Sequence, residues 1–264
     1  MEFPTCKYMR SLTIASLVLI AMFPSVTARA ALIFRDDFSN PTLDPAWSIH
    51  SGVNSYSLTE NPGNLRYDLT TATNPGDTNS VWIYRQFSGT EWVFDTKATY
   101  SIGPGSGRQL YIKMLLGDLT QRGVNEARWT RDRDSAGPRN SMIADLIDNS
   151  AVTENSIPPT LNDSVFVRII RSGQNLTVQE SDDGSVFTTL VMKDFNASLG
   201  ATQTLLLSGA AFSSTSDYVD YDFVQVVATP EPTGLALASI GFMFLAAHRK
   251  RRRAHSQPIA LTTP

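Results

Sequence analysis

Cysteine is nearly absent from this chain of 264 residues: Cys6 is the only one, which excludes an internal disulfide and leaves no pair of thiolates for a metal site. Histidine is almost as scarce. His50 is the single histidine between residues 31 and 229, so a Ser-His-Asp triad would have to use it, and no Gly-x-Ser-x-Gly turn precedes a helix. A transition-metal site is disfavoured for the same reason. The glycine run Gly103-Pro104-Gly105-Ser106-Gly107 lacks the Lys-Ser/Thr and following helix of a phosphate loop and reads as a hairpin loop. Long amphipathic helical patterns are missing from residues 31–229, and no internal repeat appears. Residues 31–229 also lack positive charge: 14 Lys and Arg stand against 23 Asp and Glu, a net charge of −9. Nucleic acid, which needs a cationic face to displace its counterions, is excluded as a partner on that ground.

What is present has a period of two. Alternating apolar segments predict strands over Leu32 to Phe38, Leu65 to Leu69, Val81 to Phe87, Trp92 to Ile102, Leu110 to Leu116, Met142 to Leu146, Val165 to Arg171, Leu176 to Ser181, Phe187 to Val191, Leu205 to Gly209 and Tyr218 to Val227. Turn chemistry separates them, as in Asn61-Pro62-Gly63-Asn64, Asn74-Pro75-Gly76-Asp77 and Asp182-Asp183-Gly184. Many strands with tight connections over about 200 residues predict one all-β domain, a two-sheet antiparallel sandwich of jelly-roll type. The stretch from Val165 to Phe187 predicts a three-stranded meander with Val165, Val167 and Ile169 on one face.

That meander, preceded by Arg35-Asp36-Asp37-Phe38 and Asp44-Pro45-Ala46-Trp47 and followed by Asp220-Tyr221-Asp222-Phe223-Val224-Gln225-Val226, resembles the concanavalin A-like lectin/glucanase superfamily. The resemblance implies that the first and last strands pair in one sheet, that Trp47 is core, and that sugars lie on a concave sheet face. It also implies the test for catalysis. Glucanases of this superfamily carry a Glu-x-Asp-x-x-Glu run on one strand, and nothing here matches it. The five glutamates, Glu60, Glu91, Glu126, Glu154 and Glu180, have no carboxylate at i+2 except Glu180, whose companions Asp182 and Asp183 fall in a turn. The expectation is therefore a protein that is not an enzyme and that binds, or is embedded in, extracellular polysaccharide. The alternative is a glycoside hydrolase or lyase whose site escapes recognition.

Both ends of the chain read as addresses. Lys7 and Arg10 precede an apolar stretch, Leu12 to Phe23, and Ala28-Arg29-Ala30 supplies the small residues that a signal peptidase reads, so residues 1–30 are expected to be a signal peptide cleaved after Ala30. At the other end, Pro230-Glu231-Pro232 is followed by the apolar run Thr233 to Ala247 and by Arg249, Lys250, Arg251, Arg252 and Arg253. Residues 229–254 thereby resemble the sorting segment of bacterial PEP-CTERM proteins, and 255–264 form a polar tail after it. This resemblance implies export through the inner membrane, transient anchoring there, and removal of the tail by an exosortase-type transpeptidase, leaving the body of residues 31–228 at the cell surface or outside it. Fifteen apolar residues reach roughly 22 Å against a hydrocarbon core of about 30 Å, which favours a processed signal over a permanent span.

Ligand candidates come from aromatics and acids. Trp82 and Tyr84 share a strand face, as do Trp92 and Phe94, and each pair either lines a sugar groove or fills the core. Trp129, flanked by Arg128 and Arg131, is expected to be partly exposed at the start of a polar loop, Arg128 to Arg139, that is either a binding rim or a plain solvated loop without function. No cofactor is expected apart from a structural calcium. Its oxygen ligands would be Asp37 on the first strand and Asp220 or Asp222 on the last, the alternative being simple solvation of strand edges.

Overall fold

Alternation of apolar and polar side chains builds two sheets whose apolar faces meet. The computed structural model describes residues 30–50, 56–68, 82–101, 108–133, 140–157, 163–196, 198–211 and 218–229. All of these lie in one compact unit, Ala30–Pro230. The expected signal and sorting helices fall outside the described residues. Within those residues no helix is long and apolar enough to cross a membrane.

The first sheet contains β1 (Ala31–Asp36), β3 (Tyr56–Ser57), β4 (Leu65–Asp68), β6 (Glu91–Ser101), β11 (Ser164–Ser172), β12 (Asn175–Ser181), β13 (Thr188–Asp194) and β15 (Tyr218–Ala228). Its order is β13-β12-β11-β6-β15-β4-β3, and β1 also pairs with β15. The first and last strands are thus antiparallel neighbours, with Asp36 opposite Val224. The second sheet contains β2 (Ser48–His50), β5 (Trp82–Ser88), β7 (Arg108–Leu115), β8 (Glu126–Arg133), β9 (Asn140–Asp148), β10 (Ala151–Ile157) and β14 (Thr202–Ala211), in the order β10-β9-β8-β7-β14-β5-β2. Every pairing in both sheets is antiparallel. The molecule is the expected all-β sandwich.

Four strands, β2, β3, β8 and β10, were not anticipated from periodicity. The most consequential is β8, because its residues Arg128 to Arg133 occupy what the sequence suggested was a polar loop. That expectation is corrected: only 134–139 of the proposed rim fall outside the strand, and they are outside the described residues.

The meander forms as expected. Val165, Val167 and Ile169 are buried in the core, and β11, β12 and β13 pair in succession. Gly184 closes the β12–β13 turn at φ +75°, where a side chain would meet the Phe166 ring at 3.0 Å. The fully buried Arg171 donates to the backbone carbonyls of Gly173, Leu199 and Gly200, tying the meander to the chain that enters β14.

Polar atoms of core aromatics reach across the sandwich. Tyr67 and Tyr221 of the first sheet donate to the carbonyls of Leu207 and Ser208 on β14, both at 2.9 Å. Trp92 donates to Gln203 at 3.1 Å. These two hydroxyls and this indole are thereby satisfied, and the two sheets are pinned in one relative register. Trp47 packs edge-on against Phe34 and donates to Asp36 at 2.7 Å, holding the β1–β2 connection on the core.

Candidate functional site

The side chains that line the core dictate which ones project from the outer face of the second sheet. Ile83, Ile112, Met114, Ala127, Trp129, Ala144, Leu146, Leu205 and Leu207 belong to the inter-sheet core. Their neighbours at odd spacing therefore point the other way: Trp82 and Tyr84 on β5, Lys113 and Leu115 on β7, Glu126, Arg128 and Thr130 on β8, Asp145 on β9, and Leu206 on β14. A second, smaller apolar cluster of Trp82, Leu115 and Leu206, with Tyr84 against it, marks this outer face.

Antiparallel register aligns these residues into one rung across six strands. Tyr84 lies opposite Leu206, Leu206 opposite Lys113, Lys113 opposite Arg128, Arg128 opposite Asp145, and Asp145 opposite Glu154. Glu126 stands two residues from Arg128 on the same face. The Arg128 guanidinium donates through Nε to Asp145 Oδ2 and lies 3.8 Å from Glu126 Oε1 through Nη1. Glu126 also accepts from the Gly123 backbone N–H at 2.9 Å. One arginine thus holds two carboxylates that belong to different strands.

These charges are covered even though they face away from the core. Glu126 is 1% exposed, Asp145 0% and Lys113 7%. The connection from β7 to β8 lies alongside, built on a 3-10 turn, Leu119–Gln121, in which the Asp118 side chain accepts from the Thr120 backbone N–H. Thr204 on β14 anchors it by donating to the Gly117 carbonyl at 2.7 Å. From this connection Arg122 stacks on Trp82, its guanidinium carbon 3.9 Å from the ring centroid, while Lys113 Nζ lies 5.6 Å from the same centroid.

Burial has the expected electrostatic effect. Desolvation pushes the Lys113 ammonium down to about 8; Glu126 and Asp145 oppose the shift, and Arg128 and Arg122 add to it. Desolvation also raises Asp145 above the ordinary carboxylate range, against the pull of Arg128. Three buried polar atoms on this same face, Trp82 Nε1, Thr130 Oγ1 and Asp145 Oδ1, have no hydrogen-bond partner among the described residues. Each such atom costs roughly 1–3 kcal/mol, so their concentration on one face calls for a ligand group or solvent there.

The residues singled out from sequence divide in two. Trp82 and Tyr84 lie on the outer face, beside the charged rung. Trp92 and Trp129 do not: both are fully buried in the inter-sheet core, which corrects the expectation of a partly exposed Trp129. The register explains this, because Trp129 alternates with the outward Arg128 and Thr130. Glu180 points into the same interior and accepts from Trp129 Nε1 at 3.5 Å, so it is no part of the outer face.

The calcium ligands do not converge as proposed. Asp220 is held by Arg66 through two contacts of 2.7 Å and by Asn61 at 2.8 Å, and Asp222 pairs with Lys97 at 2.8 Å. Asp37 instead lines a cleft of about 160 Å³ with Arg35, Asp36, Asn40 and Asp44. No group of three or more metal-binding side chains occurs among the described residues. His50 ends β2 beside Trp82, with ring centroids 6.1 Å apart. Ala30 is exposed just before β1. Ala28 and the sorting residues Pro230, Glu231, Pro232 and 249–253 lie outside the described residues.

Sequence reasoning missed Lys113, Arg122, Glu126, Arg128, Thr130 and Asp145 as a group. The available signal was the alternation of Glu126-Ala127-Arg128-Trp129-Thr130, which is strand-like once its polar residues are assigned to an outer face.

No protein-family model matches the chain, and no curated protein matches it in sequence. Solved structures do match its fold. The GH43 protein BlXynB from Bacillus licheniformis superposes with a TM-score of 0.55 at 16% identity, over 74% of this chain and 39% of that one. The chain thus spans about two-fifths of the length of that protein. An endo-β-1,3-glucanase from Pyrococcus furiosus gives 0.55 at 13% identity, covering 75% of this chain and 94% of the glucanase. A non-specific endo-β-1,3(4)-glucanase of family GH16 gives 0.57 at 10% identity, covering 79% and 94%. At these identities the likeness establishes a concanavalin-like jelly-roll fold.

The comparisons also correct the expectation that the chain is not an enzyme, since these neighbours are glycoside hydrolases. The sequence argument for that expectation considered only carboxylates along one strand. It had no means of seeing Glu126 and Asp145 brought together across two.

Proposed function

We propose that the chain is a carbohydrate-active enzyme, exported to act on extracellular polysaccharide, with its chemistry on the outer face of the second sheet. The observation that carries the reading is the rung itself: Asp145 and Glu126, on adjacent strands, held by one arginine beside Lys113 and Trp82. Glycosidic cleavage needs a carboxyl group that keeps its proton for the leaving oxygen and a second group that works on the sugar or on water. Burial raises Asp145 in the direction the first role needs, while its pairing with Arg128 pulls the other way. Glu126 is the carboxylate placed for the second. In hydrolysis the anomeric C–O bond breaks, the leaving oxygen takes the Asp145 proton, and water supplies hydroxyl to the anomeric carbon and a proton to Glu126.

A second reading, elimination, is favoured by Lys113. An amine poised near neutral pH is a competent base for a carbon acid, and the product then carries a double bond instead of an added water. The hydrolytic reading is in keeping with two fold neighbours, a β-1,3- and a β-1,3(4)-glucanase, as cleavers of polysaccharide, whereas elimination rests on Lys113 alone. Export is supported by the two terminal address patterns, with signal peptidase and an exosortase-type transpeptidase as processing partners and the inner membrane as a transient station. Mass spectrometry of protein from the native host is expected to find Ala31 at the N-terminus and no Arg251 to Arg253.

The test is product release from a panel of polysaccharides, read as new reducing ends and as absorbance of unsaturated sugars. The folded wild type is expected to release product, and Asp145→Asn and Glu126→Gln to abolish release, with Glu180→Gln active. Wild type inert on every polysaccharide, or active variants at both Asp145 and Glu126, overturns the reading.

A further inference from the structure

Charge on the outer face is layered. The carboxylates are underneath, Glu126 at 1% and Asp145 at 0% exposure, and the half-buried guanidinium groups of Arg122 and Arg128 lie toward solvent. A ligand approaching this face therefore meets cations first, within a body whose net charge is −9. Three cations converge there. Arg122 and Lys113 both address the Trp82 ring, and Lys113 is the direct cross-strand neighbour of Arg128.

The rung is also polarised. At its far end Glu154, on the edge strand β10, is an exposed carboxylate directly opposite Asp145. The Trp82 end, where Arg122 and Lys113 meet over the ring, is the end that attracts an anionic group. Planar guanidinium groups recognise carboxylates through paired, charge-assisted hydrogen bonds, which an ammonium or a neutral donor does less well. An indole beside them offers the flat apolar surface on which the C–H face of a sugar ring packs.

We propose that the glycan engaged by this face is acidic, a uronate-bearing polysaccharide whose carboxylate is seated between Arg122 and Arg128 at the Trp82 end of the rung. The proposal rests on the carbohydrate reading above and adds the substrate class to it. The stacking of Arg122 on Trp82 then has a function: an incoming sugar ring takes its place on the indole, and the displaced guanidinium swings onto the sugar's carboxylate. Neutral glucans and xylans lack the group that rewards this exchange. Trp82 Nε1 and Thr130 Oγ1, which have no partner among the described residues, are placed to meet sugar hydroxyls along the same face.

Affinity electrophoresis and titration calorimetry of the folded protein test this with polygalacturonate, alginate, dextran sulfate, laminarin and xylan. The polyuronates are expected to bind and the neutral glycans not to. Binding is expected to weaken about tenfold or more between low and high salt, as screening requires for exposed charges. Arg122→Gln, on the surface connection, is expected to weaken polyuronate binding about tenfold at a temperature where thermal unfolding shows the variant to be folded, a loss in the range of one charge-assisted hydrogen bond. Equal binding of laminarin or xylan with no salt dependence overturns the acidic assignment and leaves the carbohydrate reading standing. Binding of dextran sulfate alone overturns the uronate. Full polyuronate affinity in Arg122→Gln overturns the placement. Failure of every glycan both to bind and to be cleaved overturns this proposal together with the reading beneath it.

Discussion

Arg128 on β8 and Asp145 on β9 stand directly opposite each other in the sheet, and their side chains form an ion pair in which the carboxylate is wholly buried while the arginine keeps 28% of its side-chain surface exposed. The arginine is thus both the lid and the counter-ion of the acid. It also carries the contact to Glu126, so both buried carboxylates of this face pair with one side chain.

Removing that side chain is expected to be costly. Arg128→Leu leaves Asp145 buried without its partner, a loss of about 3–5 kcal/mol. Arg128→Leu combined with Asp145→Leu is expected to recover most of it, because the pair is replaced by apolar groups. Urea unfolding of both single variants and the double variant gives the coupling energy directly.

Lys113 makes stability depend on pH in a defined direction. Its ordinary value is 10.5 and its folded value about 8, so between those values the unfolded chain binds more protons than the folded one. Stability is therefore expected to rise with pH through that window, and the buried cation is a constant cost below it. Lys113→Met is expected to remove the rise and to gain up to about 3 kcal/mol at neutral pH, at roughly 1.4 kcal/mol per pKa unit. Unfolding measured from pH 7 to 10.5 on both proteins checks the sign.

The tryptophans are expected to report differently on ligand. Trp82 lies on the outer face and Trp92 and Trp129 in the core. A polysaccharide-induced fluorescence change is expected to vanish in Trp82→Phe and to persist in Trp92→Phe. Stability is expected to fall in Trp92→Phe by about 2–4 kcal/mol, as the buried Gln203 oxygen loses its donor and the core loses volume.

Gly184 and Gly173 separate backbone strain from close packing. Both have positive φ, +75° and +60°, so alanine is strained at either. Only at Gly184 does a new Cβ meet an aromatic ring at 3.0 Å; at Gly173 its nearest neighbour is a Glu91 oxygen at 3.7 Å. Gly173→Ala is expected to cost about 1 kcal/mol and Gly184→Ala clearly more, measured by thermal unfolding.

The fold was legible wherever one face of a strand is consistently apolar. Val165, Val167 and Ile169 alternate with Phe166, Arg168 and Ile170, and the buried set is the one that alternation selects. The β1–β15 pairing followed from the family likeness of the two ends. The site was not legible, and the reason is physical. Strand β8 has a polar outer face, so Glu126, Arg128 and Thr130 diluted the apolar signal of Ala127 and Trp129 until the segment read as loop. Asp145 reaches Arg128 only through register, which local spacing does not encode. Trp82 with Tyr84 and Trp92 with Phe94 show the same pattern in sequence, yet the first pair faces out and the second in. That choice is set by which neighbours fill the core, Ile83 in the one case and Trp92 itself in the other.

The most direct measurement is a crystal structure of the Asp145→Asn variant with a bound oligouronate. The account predicts a sugar ring on Trp82, its carboxylate between Arg122 and Arg128, and hydroxyl groups within hydrogen-bond distance of Thr130. An oligosaccharide bound on the first sheet or in the cleft beside Asp37, with the outer face of the second sheet bare, would contradict it.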